Sequence, residues 1–254
     1  MSALRSGISV LKTFGESAPE LGVTEIAALV GLHKSTVSRV LATLQELGLV
    51  ERDTVTRRFR LGLGVIALAG PMLAELDVRR IAYPVLQELT QRTGETAALM
   101  VWDDTAAVCV EQVPSTHQVK HTTPLGTRYR TTSDSSVSVF LAEMQSAHVR
   151  ELLSSGQVGG PQLDAASIDA YVERLGEAKR SGFTLNYGET SIEEVGISAP
   201  VYDHRGHVTA AVLASAPYFR VSRQQLEPLV QAVRDAAQEV TRRLGGHREV
   251  PAQP

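Results

Sequence analysis

The chain has 254 residues, room for two domains, with 43% hydrophobic and 21% charged residues and a net charge of -3. That composition excludes a disordered or fibrous chain, and a single cysteine, Cys109, excludes an intramolecular disulfide framework and fits a reducing cytoplasm. No leader-like segment opens the sequence, and the longest uncharged, mostly apolar run, Leu61 to Ala74, is broken by Gly62, Gly64, Gly70 and Pro71. A membrane span needs roughly 20 residues, so the expectation is a cytoplasmic protein without membrane contact. Charge is unevenly spread. Residues 1–62 carry eight Lys+Arg against six acids, whereas the remainder carries 17 against 22. The N-terminal segment is therefore the part expected to meet a polyanion.

In chain order, a first helix is expected from about Leu4 to Phe14, with Ile8, Leu11 and Phe14 on one apolar face. A second starts at Thr24, whose hydroxyl can cap it, with Glu25 beside its positive end and Gly31 at its stop. A third runs from Lys34 to Leu47 and ends at Gly48. Two short strands, 49–52 and 58–61, then flank the polar turn Asp53-Thr54-Val55-Thr56. A linker helix follows over 65–76, with Pro71 expected to bend or restart it. Beyond Val78 come a helix at 80–92, strands at 96–102 and 106–113, and helices at 136–143, 147–153 and 167–181. Strands at 183–187, 195–202 and 208–215 and a long helix at 222–244 close the pattern. Hairpin-like strands with helices before and after predict an α+β domain around a largely antiparallel sheet. Residues 156–160 read as a surface loop, and residues 247–254 as a disordered tail. The expected division is thus 1–62, a linker helix over 63–77, and 78–246.

The sharpest signal is the run from Thr24 to Leu44, two helices joined by a glycine-containing turn, the helix-turn-helix arrangement. On a helical wheel Val37, Val40, Leu41, Leu44 and Leu47 share the inward face of the third helix. Ser35, Ser38, Arg39 and Ala42 lie opposite, a short polar face able to enter a major groove. Arg39 can donate two parallel hydrogen bonds to guanine, while Lys34, Ser35 and Thr36 sit where a helix N-terminus favours phosphate. Arg57, Arg58 and Arg60 cluster on the following hairpin, as a basic wing would, to grip backbone phosphates or a minor groove. The expected contacts to double-stranded operator DNA are Thr24, Lys34, Ser35, Thr36, Ser38, Arg39, Arg57, Arg58 and Arg60. With Lys34, Arg39, Arg57 and Arg58 each on one phosphate in a dimer, about eight contacts give a log–log salt slope of roughly -7.

These residues resemble the IclR family of bacterial transcriptional regulators over essentially the whole chain. The resemblance is carried by Thr24-Glu25-Ile26-Ala27, Lys34 to Arg39, Leu47 to Arg52 and Arg60-Leu61-Gly62. In the second half it is carried by Thr93-Gly94-Glu95-Thr96, Ser198 to Val201 and Ser215 to Arg220. It implies a winged helix-turn-helix, a linker helix and a GAF-like effector-binding domain, in homodimers or homotetramers that repress or activate operons, often for catabolism of organic acids or aromatics. The resemblance places the effector against Ser135, Ser136, Asn186, Glu189, Gly196, Leu213 and Ser215. Thr132 stands in place of a frequent histidine, Val137-Ser138 in place of Gly-Lys, Glu193 in place of a glycine and Leu213 in place of a serine, departures that point to a larger or less polar effector than a small carboxylate, or to none. Helix capping and strand packing remain an alternative reading of Ser135, Ser136 and Ser215.

The other chemistry-bearing residues have simpler readings. Cys109, among small apolar neighbours, reads as a buried hydrophobe. His117, His121, His204 and His207 read as solvated loop histidines, and Trp102 as a strand end. Neither a nucleophile elbow, a phosphate-binding glycine loop nor a His-Glu-x-x-His pattern occurs. No catalysis, metal or cofactor is therefore expected. The competing reading is a metabolite-binding protein or enzyme whose helix-turn-helix serves only dimerisation.

Overall fold

The computed structural model describes residues 3–15, 18–75, 77–159, 163–190 and 193–248. The chain divides into two compact units, one over Met1–Leu76 and one over Asp77–Pro254. In the first, α1 (Ala3–Leu11), α2 (Val23–Val30) and α3 (Lys34–Glu46) precede the antiparallel hairpin β1 (Val50–Arg52) and β2 (Phe59–Leu61) and the helix α4 (Gly64–Glu75). Val10, Ile26, Val37, Leu41, Leu44, Val50 and Phe59 form its core. Leu41 is fully buried, so its truncation to alanine costs about 2–5 kcal/mol.

Four local expectations change. On α1 the inward face is Ser6 and Val10, while Ile8 is exposed. Leu47 caps the end of α3 and is also exposed, since the chain leaves helical geometry at Gly48 (φ +70°) before its side chain can reach the core. Thr24 is not the cap of α2. Gly22 holds that position, and the Glu25 carboxylate reaches back to the Gly22 N–H at 2.7 Å. Pro71 neither breaks nor restarts α4, which runs through it as one helix.

In the second unit a six-stranded, wholly antiparallel sheet has the order β5-β4-β3-β8-β7-β6. Its strands are β3 (Thr96–Asp103), β4 (Ala106–Val113), β5 (Arg128–Tyr129), β6 (Thr184–Tyr187), β7 (Glu194–Tyr202) and β8 (Val208–Pro217). The helices α5 (Asp77–Thr93) and α9 (Arg223–Arg243) cover one face. The other face carries α6 (Ser135–Leu141), α7 (Ser146–Ser154) and α8 (Ala165–Ser181) over a core of Met100, Phe140, Leu141, Leu153, Tyr171 and Leu213. The antiparallel α+β reading of this unit thus stands. The two-residue β5 and a 3-10 turn at Tyr218–Arg220 were not anticipated, both being too short to show a period. Of the expected tail, residues 249–254 lie outside the described residues. Arg248, by contrast, donates to the Lys179 carbonyl and lies 3.9 Å from Glu143.

Candidate nucleic-acid interface and ligand site

The presentation of α3 follows from its turn. Gly31 takes the left-handed conformation at φ +66°, a geometry a Cβ disfavours, and Leu32 N–H then bonds the Ala27 carbonyl at 3.1 Å. His33 caps α3: its Nδ1 accepts the Ser35 N–H at 3.4 Å and meets the Ser35 hydroxyl at 2.9 Å. A histidine is not among the usual capping types, so propensity alone overlooked it. Val37, Leu41 and Leu44 are buried, whereas Lys34, Ser35, Ser38, Arg39, Ala42 and Thr43 are exposed and Thr36 is half-buried. The polar face of α3 is open to solvent. Thr24, in the first turn of α2, is exposed as well.

The three wing arginines separate into two kinds. Arg58 is committed inside the unit: it pairs with Glu25 at 2.7 Å and donates to the Glu20 carbonyl at 3.1 Å, tying β2 to the start of α2. The Gly22 N–H and this guanidinium hold the Glu25 carboxyl below its ordinary pKa. Arg60 pairs with Glu51 across the hairpin at 2.5 Å and lies 3.7 Å from Glu20. Among the described residues Arg57 has no such partner, and it stands at the wing tip at φ +61°. The turn beneath it is built by Asp53, whose carboxylate accepts the Val55 and Thr56 N–H groups at 2.8 and 2.6 Å. Arg52 lies against the Phe59 ring and donates to the Arg57 carbonyl at 3.2 Å.

In the second unit, the face of the sheet under α6 changes character along its strands. At one end Ala98, Met100, Ala211 and Leu213 are apolar core. At the other, Thr96, Ser215 and Gly196 share that face through the register Thr96↔Ser215 and Ser215↔Gly196, with Ser198 beside Leu213 at the boundary and Thr184 and Asn186 of β6 alongside. Most of these polar groups are satisfied. Ser135 and Ser198 hydroxyls meet at 3.0 Å, and Thr184 donates to the Ser135 carbonyl at 2.7 Å. Asn186 accepts the Glu189 N–H at 2.8 Å and donates to the Thr190 hydroxyl at 2.8 Å. A Cβ on Gly196 would come within 3.1 Å of Ser135 Oγ, so the glycine admits α6 to the sheet. Ser215, only 2% exposed, is different: its Oγ has no hydrogen-bond partner.

The predicted effector residues therefore come together, with one exception. Ser135, Ser136, Asn186, Gly196, Leu213 and Ser215 are buried around this sheet end, while Glu189 is exposed, 3.9 Å from Arg174. Three neighbours were missed. Asp134 caps α6 and is buried, its Oδ2 accepting the Thr131 N–H and hydroxyl at 2.9 Å. Glu194 occupies an inward register on β7, and burial raises its carboxyl pKa above the ordinary value. Tyr129, on β5, has its phenol pushed up, first by burial. An acid at the position two before Gly196 in an alternating strand was a legible signal for Glu194.

The remaining candidates behave as structure. His121 Nε2 lies 3.1 Å from the Glu193 carbonyl, and Trp102 packs on Phe140 with ring centres 5.5 Å apart. Cys109 is buried, its thiol pushed up to about 12 mainly by desolvation, which leaves it unreactive. Asp203, in the turn that holds His204 and His207, accepts the Arg205 and His207 N–H groups at 2.9 Å. Among the described residues no cluster of three or more His, Cys, Asp or Glu could hold a metal, and no helix is long and apolar enough to cross a membrane.

Comparison with known proteins agrees with both halves of this architecture. The family description "IclR helix-turn-helix domain" matches residues 3–54, and "Bacterial transcriptional regulator IclR C-terminal" matches residues 71–242. The chain belongs to the IclR family of bacterial transcriptional regulators. It is 30% identical to the HTH-type transcriptional regulator KipR of Bacillus subtilis, over 89% of this chain and 91% of that protein. A solved domain of an IclR-family transcriptional regulator is 54% identical, covering 68% of this chain and 99% of that one, with a TM-score of 0.66. An IclR homologue from Microbacterium hydrocarbonoxydans, solved with 4-hydroxybenzoate, is 25% identical over 96% of this chain and 99% of its own, with a TM-score of 0.79. The named relatives are regulators rather than enzymes.

Within this IclR-family chain, several of the strings that carried the resemblance are explained by the fold rather than by ligand contact. A side chain on Gly62 or Gly64 would collide with the Gly48 carbonyl, so Leu47-Gly48-Leu49 and Arg60-Leu61-Gly62 can cross at the wing root only as they are. Glu95 and Arg220 form a two-pronged pair at 2.5 and 2.8 Å, with Glu95 buried, which joins the start of β3 to the segment after β8. A cleft of about 480 Å³ beside that pair is lined by none of the predicted effector residues.

Proposed function

We propose that this protein is a sequence-specific DNA-binding regulator, acting as a repressor, whose operator affinity is set by a small molecule bound in its second unit. The observation that carries the DNA-reading half is the exposed polar face of α3 around Arg39, anchored by buried Val37, Leu41 and Leu44. Lys34, Ser35 and Thr36 approach backbone phosphate, Ser38 and Arg39 approach base edges, Thr24 approaches phosphate from α2, and Arg57 reaches from the wing. Arg58 and Arg60 act through the shape of the wing, because both are held by carboxylates.

Two copies acting together suit a palindromic operator with half-sites one or more helical turns apart. Exposed apolar side chains on the first unit support such a dimer: Leu4 on α1, Leu63 just before α4, and Ile66 and Leu68 on α4 are all more than 60% exposed. With Lys34 and Arg57 from each copy, about four phosphate contacts give a salt slope of roughly -4. Support for the effector half comes from the relative solved with 4-hydroxybenzoate and from the buried polar end of the sheet. Ligand binding there shifts the balance between two dimer states that space the two α3 helices differently.

The test is a footprint of the full chain on its adjacent upstream DNA, followed by titration in increasing salt. Protection of a palindrome with a slope of roughly -4 is expected. A slope near zero, or protection that Arg39→Ala leaves intact, would overturn the reading.

A further inference from the structure

The polar end of the second unit's sheet differs from an anion-binding site in a specific way. A protein carboxylate stands buried beside the start of α6 without bonding that helix's own N–H groups. Asp134 holds the N-cap position, its Oδ2 bound by Thr131 and its Oδ1 3.4 Å from the Thr190 hydroxyl. Glu194 faces the same space from β7, close enough that the Asp134 charge further raises its proton affinity. Among the described residues neither carboxylate has a lysine or arginine within ion-pair distance, and His121 is the cationic-capable side chain that acts on Glu194. Burying a further anion beside two unpaired carboxylates is strongly disfavoured.

A second observation, independent of the acids, points into the same space. Ser215 Oγ is 98% buried by its 2% exposure and makes no hydrogen bond. Its strand partner is Gly196, which has no side chain, and Glu194 lies two residues along β7 on the same face. Buried hydroxyls are nearly always satisfied, and among the described residues Thr123 Oγ1 alone shares this lack, so the unpaired Ser215 hydroxyl marks a position that a ligand atom completes. The connection after β4 closes over this end: Thr96 Oγ donates to the His121 carbonyl at 2.6 Å, and His121 meets the Glu193 carbonyl at 3.1 Å.

We propose that the molecule sensed by this unit buries an uncharged or cationic end, presenting hydroxyl, amide or ammonium donors to Asp134, Glu194 and Ser215, and is not a carboxylate inserted acid-first. This rests on the proposed effector role of the unit and adds the chemical class to it. Leu213 and the apolar core beneath favour a carbon skeleton on the other side of the ligand. The site selects by charge: the same skeleton is taken as its alcohol, amide or amine and refused as its acid.

The test uses matched probes on the full chain: 4-hydroxybenzoate against 4-hydroxybenzyl alcohol, 4-hydroxybenzamide and tyramine, and short-chain aliphatic acids against their amides and polyols. Thermal shift finds binders and calorimetry ranks them. At least one alcohol, amide or amine is expected to bind, its carboxylate counterpart roughly tenfold or more weakly. Ser215→Ala is expected to weaken that binder about fivefold, and Glu194→Gln to narrow the gap between acid and neutral partner. Acids binding as well as their neutral partners, a binder indifferent to both substitutions, or no binder in either set would each overturn the proposal. Operator binding is measured on the same samples. A chain that binds its operator while failing the probe test loses the ligand class alone, and one that binds probes but no DNA loses the regulator reading instead.

Discussion

The exposed face of α3 and the buried sheet end under α6 are both polar patches that the fold leaves incomplete, but for opposite reasons. Lys34, Ser38 and Arg39 make no side-chain pair among the described residues because water can satisfy them, so holding them ready costs the fold almost nothing. Ser215 itself is buried, and a buried group lacking a partner weakens the domain unless something else compensates. Incompleteness at a surface is ordinary, and its meaning comes from the company it keeps. Incompleteness in an interior carries meaning alone. The two sites also differ in charge, cations facing outward on the first unit and carboxylates inward on the second.

The largest expected effect tests the first site. Arg39→Ala in both copies removes two bidentate base contacts and should weaken specific operator binding by about 30-fold or more, with the unfolding temperature unchanged. A smaller loss, or one shared equally by unrelated DNA, would make Arg39 a phosphate contact instead. Next, the wing arginines should part company. Arg57→Ala is expected to make the salt slope shallower by about 2 in a dimer without altering stability. Arg58→Ala should lower the unfolding temperature of the first unit, because it releases Glu25 and the Glu20 carbonyl. Identical behaviour of the two variants in both measurements would erase the distinction.

Two smaller effects concern the second site. Ser198→Ala strands the Ser135 hydroxyl and should cost about 1–2 kcal/mol in denaturant unfolding, whereas Ser215→Ala removes a group that has no partner and should be neutral or stabilising by up to ~1 kcal/mol. Equal losses would mean that Ser215 is paired after all. The last is a pH effect. Burial raises the Glu194 carboxyl above the ordinary 4.5, so the folded state holds that proton more tightly than the unfolded state. Its ionisation therefore weakens the fold progressively as pH climbs from 4.5 through the raised value. Glu194→Gln should match the parent in unfolding temperature near pH 4 and exceed it at pH 7.5, and a gap independent of pH would refute the assignment.

Much of this protein could be read along the chain because its signals are local. Helical periodicity located α2 and α3, and β3, β4, β7 and β8 were legible as short apolar runs, since each signal lies within one element. The open face of α3 follows from that spacing too. Leu47 escaped because a helix end, not a wheel, decides where the last side chain points, and His33 because capping by a histidine depends on a single local geometry. Other matters required residues far apart to meet. Nothing in the order of Arg57, Arg58 and Arg60 tells which is free: Glu25, 33 residues from Arg58, settles that through the packing of β2 on α2. Likewise the sequence put Ser215 on a strand and Glu194 just before one, while only the sheet register brought both to one face. Charge neutralisation and hydrogen-bond completion act across space rather than along the chain, and so the tertiary structure alone decided which polar groups are satisfied and which still await a partner.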